Sequence, residues 1–68
     1  MDNVFEGLNT SDRIRGILAS RKKTQGDLAM ILKMTPETIS ARLKLNKWEV
    51  EELSIIGIEF NVDPKDLI

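Results

Sequence analysis

The stretch Thr24–Lys44, TQGDLAMILKMTPETISARLK, decides how this chain folds. Thr24 is an N-cap residue, because its hydroxyl can accept from a free backbone N–H of the first helical turn. Asp27, three positions on, completes a capping box with aspartate in place of the usual glutamate or glutamine. The helix that follows, the second in the chain, carries Leu28, Ala29 and Leu32 inward at helical spacing. Thr35 caps a third helix, and Pro36 takes its first position, where the missing N–H costs nothing and the fixed φ suits the helix. Its inward residues are Ile39 and Leu43. About three residues around Lys33 to Thr35 join the two helices, so they must cross steeply, and the small Ala29 suits the point of approach. Pro36, Glu37, Ser40, Ala41 and Lys44 are left on other faces of the third helix, with Thr35 at its tip and Thr38 and Arg42 flanking. These groups are mostly small or polar, compatible with close approach to base edges.

The rest of the chain builds outward from this pair. Ser11 or Thr10 caps a first helix with Ile14, Ile17 and Leu18 inward, running to about Arg21 or Lys22. Asn46-Lys47 breaks the pattern after helix three. Trp48 begins a fourth segment in which Val50, Leu53, Ile56, Gly57 and Phe60 mark an inward stripe that Asn61 ends. Val62–Ile68 reads as a short turn of helix, capped by Asp63 and started by Pro64, that folds Leu67 or Ile68 back on the core. The expected fold is all-α: a compact domain of four to five helices over residues 11–68, preceded by an N-terminal extension over residues 1–10, without repeats or low-complexity linkers.

Composition narrows the function. A chain of 68 residues is near the lower limit at which a domain buries enough apolar surface to fold without cross-links. It has no Cys and no His, which removes disulfides, thiolate or imidazole metal ligands and the usual nucleophile–base pairs, so the expectation is no enzyme, no metal and no cofactor. The acidic start MDNVFEGLNTSD is unlike an export signal, and no apolar run approaches the roughly 20 residues of a membrane span, so the chain reads as soluble and cytoplasmic. Net charge is −1, but the charges are segregated. Between Arg13 and Lys47, nine lysines and arginines face only Asp27 and Glu37, a local +7 between acidic ends. A polarised molecule of this kind can set a basic side on phosphates and leave its acidic side to solvent or another protein.

The residues Thr24-Gln25, Leu28-Ala29, Leu32, Thr38-Ile39-Ser40, Trp48, Leu53 and Phe60-Asn61-Val62 stand at the joint spacing of one family. Over roughly Ser11 to Ile68 the chain resembles the Cro/repressor-type (XRE-like) helix-turn-helix regulators of phages and bacteria. The resemblance implies a lambda-repressor-like domain with its helix-turn-helix at 24–44. It also implies sequence-specific binding of operator DNA as a transcriptional regulator, usually as a dimer on a palindromic site, with helix 35–44 in the major groove. Gln25 matches a position that touches a phosphate. Thr35, Pro36, Glu37, Ser40 and Ala41 match the base-edge group, and Thr38 a phosphate or base contact. Glu37 can accept from cytosine N4, or can merely favour the helix dipole and repel phosphate. Arg42, Lys44 and Lys47 are the cationic contacts, while Arg21, Lys22 and Lys23 supply general attraction. The sequence departs from the family where Lys33 stands for the usual turn glycine, and where Leu45-Asn46 replaces a later one; Asn tolerates the left-handed conformation.

Trp48 reads as a core-filling staple rather than a base-stacking group. Met30 and Ile31 either cover helix one or add to a contact surface. On helix four, Ile55 and Ile58 lie off the inward stripe, with Gly57 beside them permitting close approach of another backbone. With Val62 they suggest a homodimer or heteromeric contact, unless the tail covers them. A rival reading is a protein-interaction module on the same scaffold: an antitoxin, an antirepressor or an inhibitor of another regulator. The chain's brevity leads us to expect no separate ligand-sensing domain.

Overall fold

Side chains just ahead of each helix set where it begins. The computed structural model describes residues 9–67; of the expected extension it therefore includes only Asn9 and Thr10, and the placing of Ile68 lies outside the described residues. The elements are α1 (Thr10–Ser20), α2 (Gln25–Leu32), α3 (Pro36–Leu45), α4 (Val50–Phe60) and a 3-10 turn, Pro64–Leu67. No strand occurs among the described residues. At α2 the Thr24 hydroxyl accepts from the Asp27 N–H at 3.1 Å, and the Asp27 carboxylate accepts the Thr24 N–H at 2.8 Å. At α3 the Thr35 hydroxyl accepts from the Thr38 N–H at 3.2 Å, with Pro36 at the first position as expected.

Two helix starts differ from the sequence expectation. The cap of α1 is Asn9 rather than Ser11 or Thr10: its Oδ1 accepts from the Asp12 N–H at 2.9 Å, and Asp12 Oδ2 accepts the Asn9 N–H at 3.3 Å. Ser11 cannot cap because it is 0 % exposed and its hydroxyl is held elsewhere. Trp48 lies ahead of α4, not in it, and Glu52 Oε1 reaches back to the Glu49 N–H at 2.8 Å to close the first turn. Val50 then falls in one row with Ser54 and Ile58, turned away from Leu53 and Ile56, and is 79 % exposed; it does not belong to the inward stripe.

All four helices stop by one device. A residue near φ +55° to +60° (Lys22, Lys33, Asn46, Asn61) turns the chain. The N–H of the next residue then bonds five positions back: Lys23 to Leu18, Met34 to Ala29, Lys47 to Arg42 and Val62 to Gly57, at 2.8–3.3 Å. None of these turning residues is glycine. Lys33, which stands where a turn glycine is expected, thus adopts the left-handed conformation itself.

The core draws on every element: Ile14 and Leu18 of α1, Leu28, Ala29 and Leu32 of α2, Ile39 and Leu43 of α3, Leu53, Ile56 and Phe60 of α4, and Leu67 of the 3-10 turn. Each large aliphatic removed from water contributes roughly 1.5–3 kcal/mol. Ile17, Ile31, Met34, Trp48 and Val62 pack against its edge. Ile31 therefore serves the core, whereas Met30 is 78 % exposed. Gly57 does permit a close approach, but of its own chain: a Cβ there would lie 2.6 Å from the Val62 carbonyl oxygen. The backbone that uses this space is the one leading into the 3-10 turn.

Candidate nucleic-acid interface

Burial of Ile39 and Leu43 orients α3. At 100° per residue the opposite side centres on Ala41, with Glu37 and Leu45 next to it and Thr38 and Lys44 beyond. Thr35, Pro36, Glu37, Thr38, Ser40, Ala41, Lys44 and Lys47 are all exposed. Glu37, Thr38, Ala41, Arg42, Leu45 and Lys47 line an open cleft of about 430 Å³. The Thr35 and Thr38 hydroxyls bond to each other at 2.9 Å, which fixes both at the tip of the helix. Gln25 is exposed at the first position of α2.

The start of α2 already holds an anion of its own. The Thr24 backbone N–H, then the Thr24 hydroxyl, and last the nearby Lys23 charge hold the Asp27 carboxyl below its ordinary pKa. Asp27 is therefore ionised at neutral pH and opposes a second negative charge at that helix end.

Cations divide by type. Arg21 Nη2 donates to the Phe60 carbonyl at 2.9 Å and Arg13 Nη1 to the Asp66 carbonyl at 3.2 Å, each closing a C-terminal end of backbone. Arg15 Nη1 pairs with Asp12 at 3.2 Å, and Arg42 Nη1 with Glu52 at 2.9 Å and the Lys47 carbonyl at 3.3 Å. Arg42 thus lines the cleft while its guanidinium is engaged by Glu52 of α4 and the Lys47 carbonyl. By contrast, Lys22, Lys23, Lys33, Lys44 and Lys47 make no side-chain hydrogen bond or ion pair among the described residues. The cations of the basic middle third whose side chains have no partner among the described residues are thus lysines, flexible point charges suited to phosphate and poor at bidentate base reading.

Sequence reasoning passed over two features of this site. Leu45 is 62 % exposed at the end of α3, a position that counting from Ile39 and Leu43 would have placed outside. A part-buried polar cluster around Ser11 ties α1 to the end of α3. The Ser11 N–H and hydroxyl both donate to Asn46 Oδ1, at 2.9 and 3.0 Å, and the Trp48 indole N–H donates to the Ser11 oxygen at 3.0 Å. Residues 35 and 37 apart in sequence make these bonds, and no local pattern signals them. Trp48 is half-buried against the core, as the core-filling reading expects.

Among the described residues no group of acids could hold a metal ion, and no helix is long and apolar enough to cross a membrane. No family model matches the chain, and neither a curated protein nor a solved structure is found to match it.

Proposed function

We propose that this chain is a sequence-specific double-stranded DNA-binding regulator that uses α2 and α3 as a helix-turn-helix and works by occupying its site. The observation that supports this most is the outer side of α3: small and polar groups from Thr35 to Lys44 exposed along a helix whose other side is buried, next to lysines with no partner of their own among the described residues. A helix with that surface fits a major groove, where hydrogen-bonding edges and thymine methyls alternate. In this reading the lysines supply sequence-independent attraction, and Thr35, Glu37, Ser40 and Ala41 supply discrimination. In this reading Arg42, held by Glu52 at the flank of α3, steadies the helix instead of reading guanine.

Selection of bound duplexes from a random pool tests the reading. An enriched motif is expected, and a repeated half-site in it would report a paired molecule. No enrichment, together with no duplex binding at low ionic strength, would refute it.

A further inference from the structure

Helix α4 presents a surface that no other described residue covers, and its charge is definite. Val50, Ser54 and Ile58 form one row along it, and Glu51, Ile55 and Glu59 form the adjacent row. Val50 is 79 %, Ile55 43 % and Ile58 83 % exposed, so neither the 3-10 turn nor α2 covers them, although both pack on the opposite side of the helix. Val62 does not belong to this surface, since it packs against the core edge. The run Glu49–Asn61 holds four glutamates and no lysine or arginine. One of the four, Glu52, is buried and neutralised by Arg42, while Glu51 and Glu59 remain exposed beside the isoleucines.

This charge pattern selects the occupant. In a two-fold pairing of α4 with α4 of a second copy, the same patch lies on both sides, so the Glu51/Glu59 row would meet itself with no cation from α4 between. Like charges brought together at a contact of this size oppose association. A partner with apolar residues along one row and lysine or arginine along the next meets both rows favourably. We infer that the exposed face of α4 is a docking surface for a cationic amphipathic helix of another protein, not for a second copy of this chain. Partner helices of this kind are anchored at i, i+3, i+4 and i+7 spacing, and Val50, Ser54 and Ile58, at i, i+4 and i+8, offer them a row two turns long. This surface is separate from α3, so the inference stands or falls independently of DNA binding.

Titration of the full chain with a synthetic helical peptide of leucine and lysine at that spacing tests it, with the same peptide carrying glutamate for lysine as the control. The lysine peptide should shift the amide resonances of Val50, Ser54, Ile55 and Ile58 and bind more weakly as salt rises; the glutamate peptide should not bind. Ile58→Ser and the double variant Glu51→Lys/Glu59→Lys alter only exposed positions, and each should weaken binding by about tenfold or more. Unchanged circular dichroism and Trp48 fluorescence would show that these variants remain folded. Shifts confined to other helices, indifference to both variants, or a wild-type dimer that Ile58→Glu converts to monomer would each overturn the assignment.

Discussion

Lys33 and Asn46 have nearly the same backbone conformation, φ 58° and 54°, and opposite reasons for it. Lys33 makes no side-chain bond among the described residues, so its Cβ only adds the left-handed penalty of about 1–2 kcal/mol. Lys33→Gly should raise stability by roughly 0.5–1 kcal/mol after glycine's extra unfolded-state entropy is subtracted, read as an increase of a few degrees in Tm. Asn46→Gly should do the reverse. It relieves the same strain but leaves the Ser11 N–H, wholly buried, without its acceptor, a loss of about 1–3 kcal/mol; a net fall in the urea midpoint is expected. Asp27 adds a pH dependence. Its folded pKa lies below the ordinary 3.8, so its contribution is present above that value and is lost as pH falls toward the folded pKa. Asp27→Asn should lower the urea midpoint at pH 7 and leave a shallower fall as pH drops below 3.8.

At the scale of elements, the join between α4 and the 3-10 turn depends on the absence of one side chain. A Cβ on Gly57 would lie 2.6 Å from the Val62 carbonyl oxygen and 3.0 Å from Pro64 Cγ. Gly57→Ala therefore should cost about 1–3 kcal/mol, although alanine is the better helix former by roughly 1 kcal/mol. Gly16, in the middle of α1, has nothing within 4 Å of the same position, and Gly16→Ala should stabilise by roughly 0.5–1 kcal/mol. Paired urea titrations of the two variants check the sign difference. The displaced turn would also expose Leu67, now fully buried, so the Gly57 variant should show the larger change in unfolding cooperativity.

For the whole molecule, the division of labour between arginine and lysine sets the strength of any interaction with phosphates. Among the described residues the arginines bond within the chain, and five lysines do not. Each phosphate neutralised contributes a slope of about −0.9 in log affinity against log salt, so DNA binding should show a slope no steeper than about −4 to −5. Lys47→Ala should reduce it by about 1 and weaken all duplexes alike. Fluorescence anisotropy from low to moderate salt measures both, and a markedly steeper slope would mean that the arginine pairs open on binding.

What the sequence by itself determined is local. Thr24 with Asp27, Thr35 with Pro36, and the helical spacing of Leu28, Leu32, Ile39, Leu43, Leu53, Ile56 and Phe60 specify α2, α3, α4 and their buried sides, because caps and periodicity act within one or two turns of chain. The exposure of the α3 face follows from the same spacing, and so was legible in advance. Tertiary structure alone decided which polar groups are available to a partner. Whether Ser11 caps a helix or anchors Asn46, whether Arg42 is free or bound to Glu52, and whether Gly57 admits another molecule or Val62 are settled by residues 5 to 35 positions away. A hydrogen-bonding group takes whatever partner the packed core brings within about 3 Å, and that distance is set only once the helices have docked.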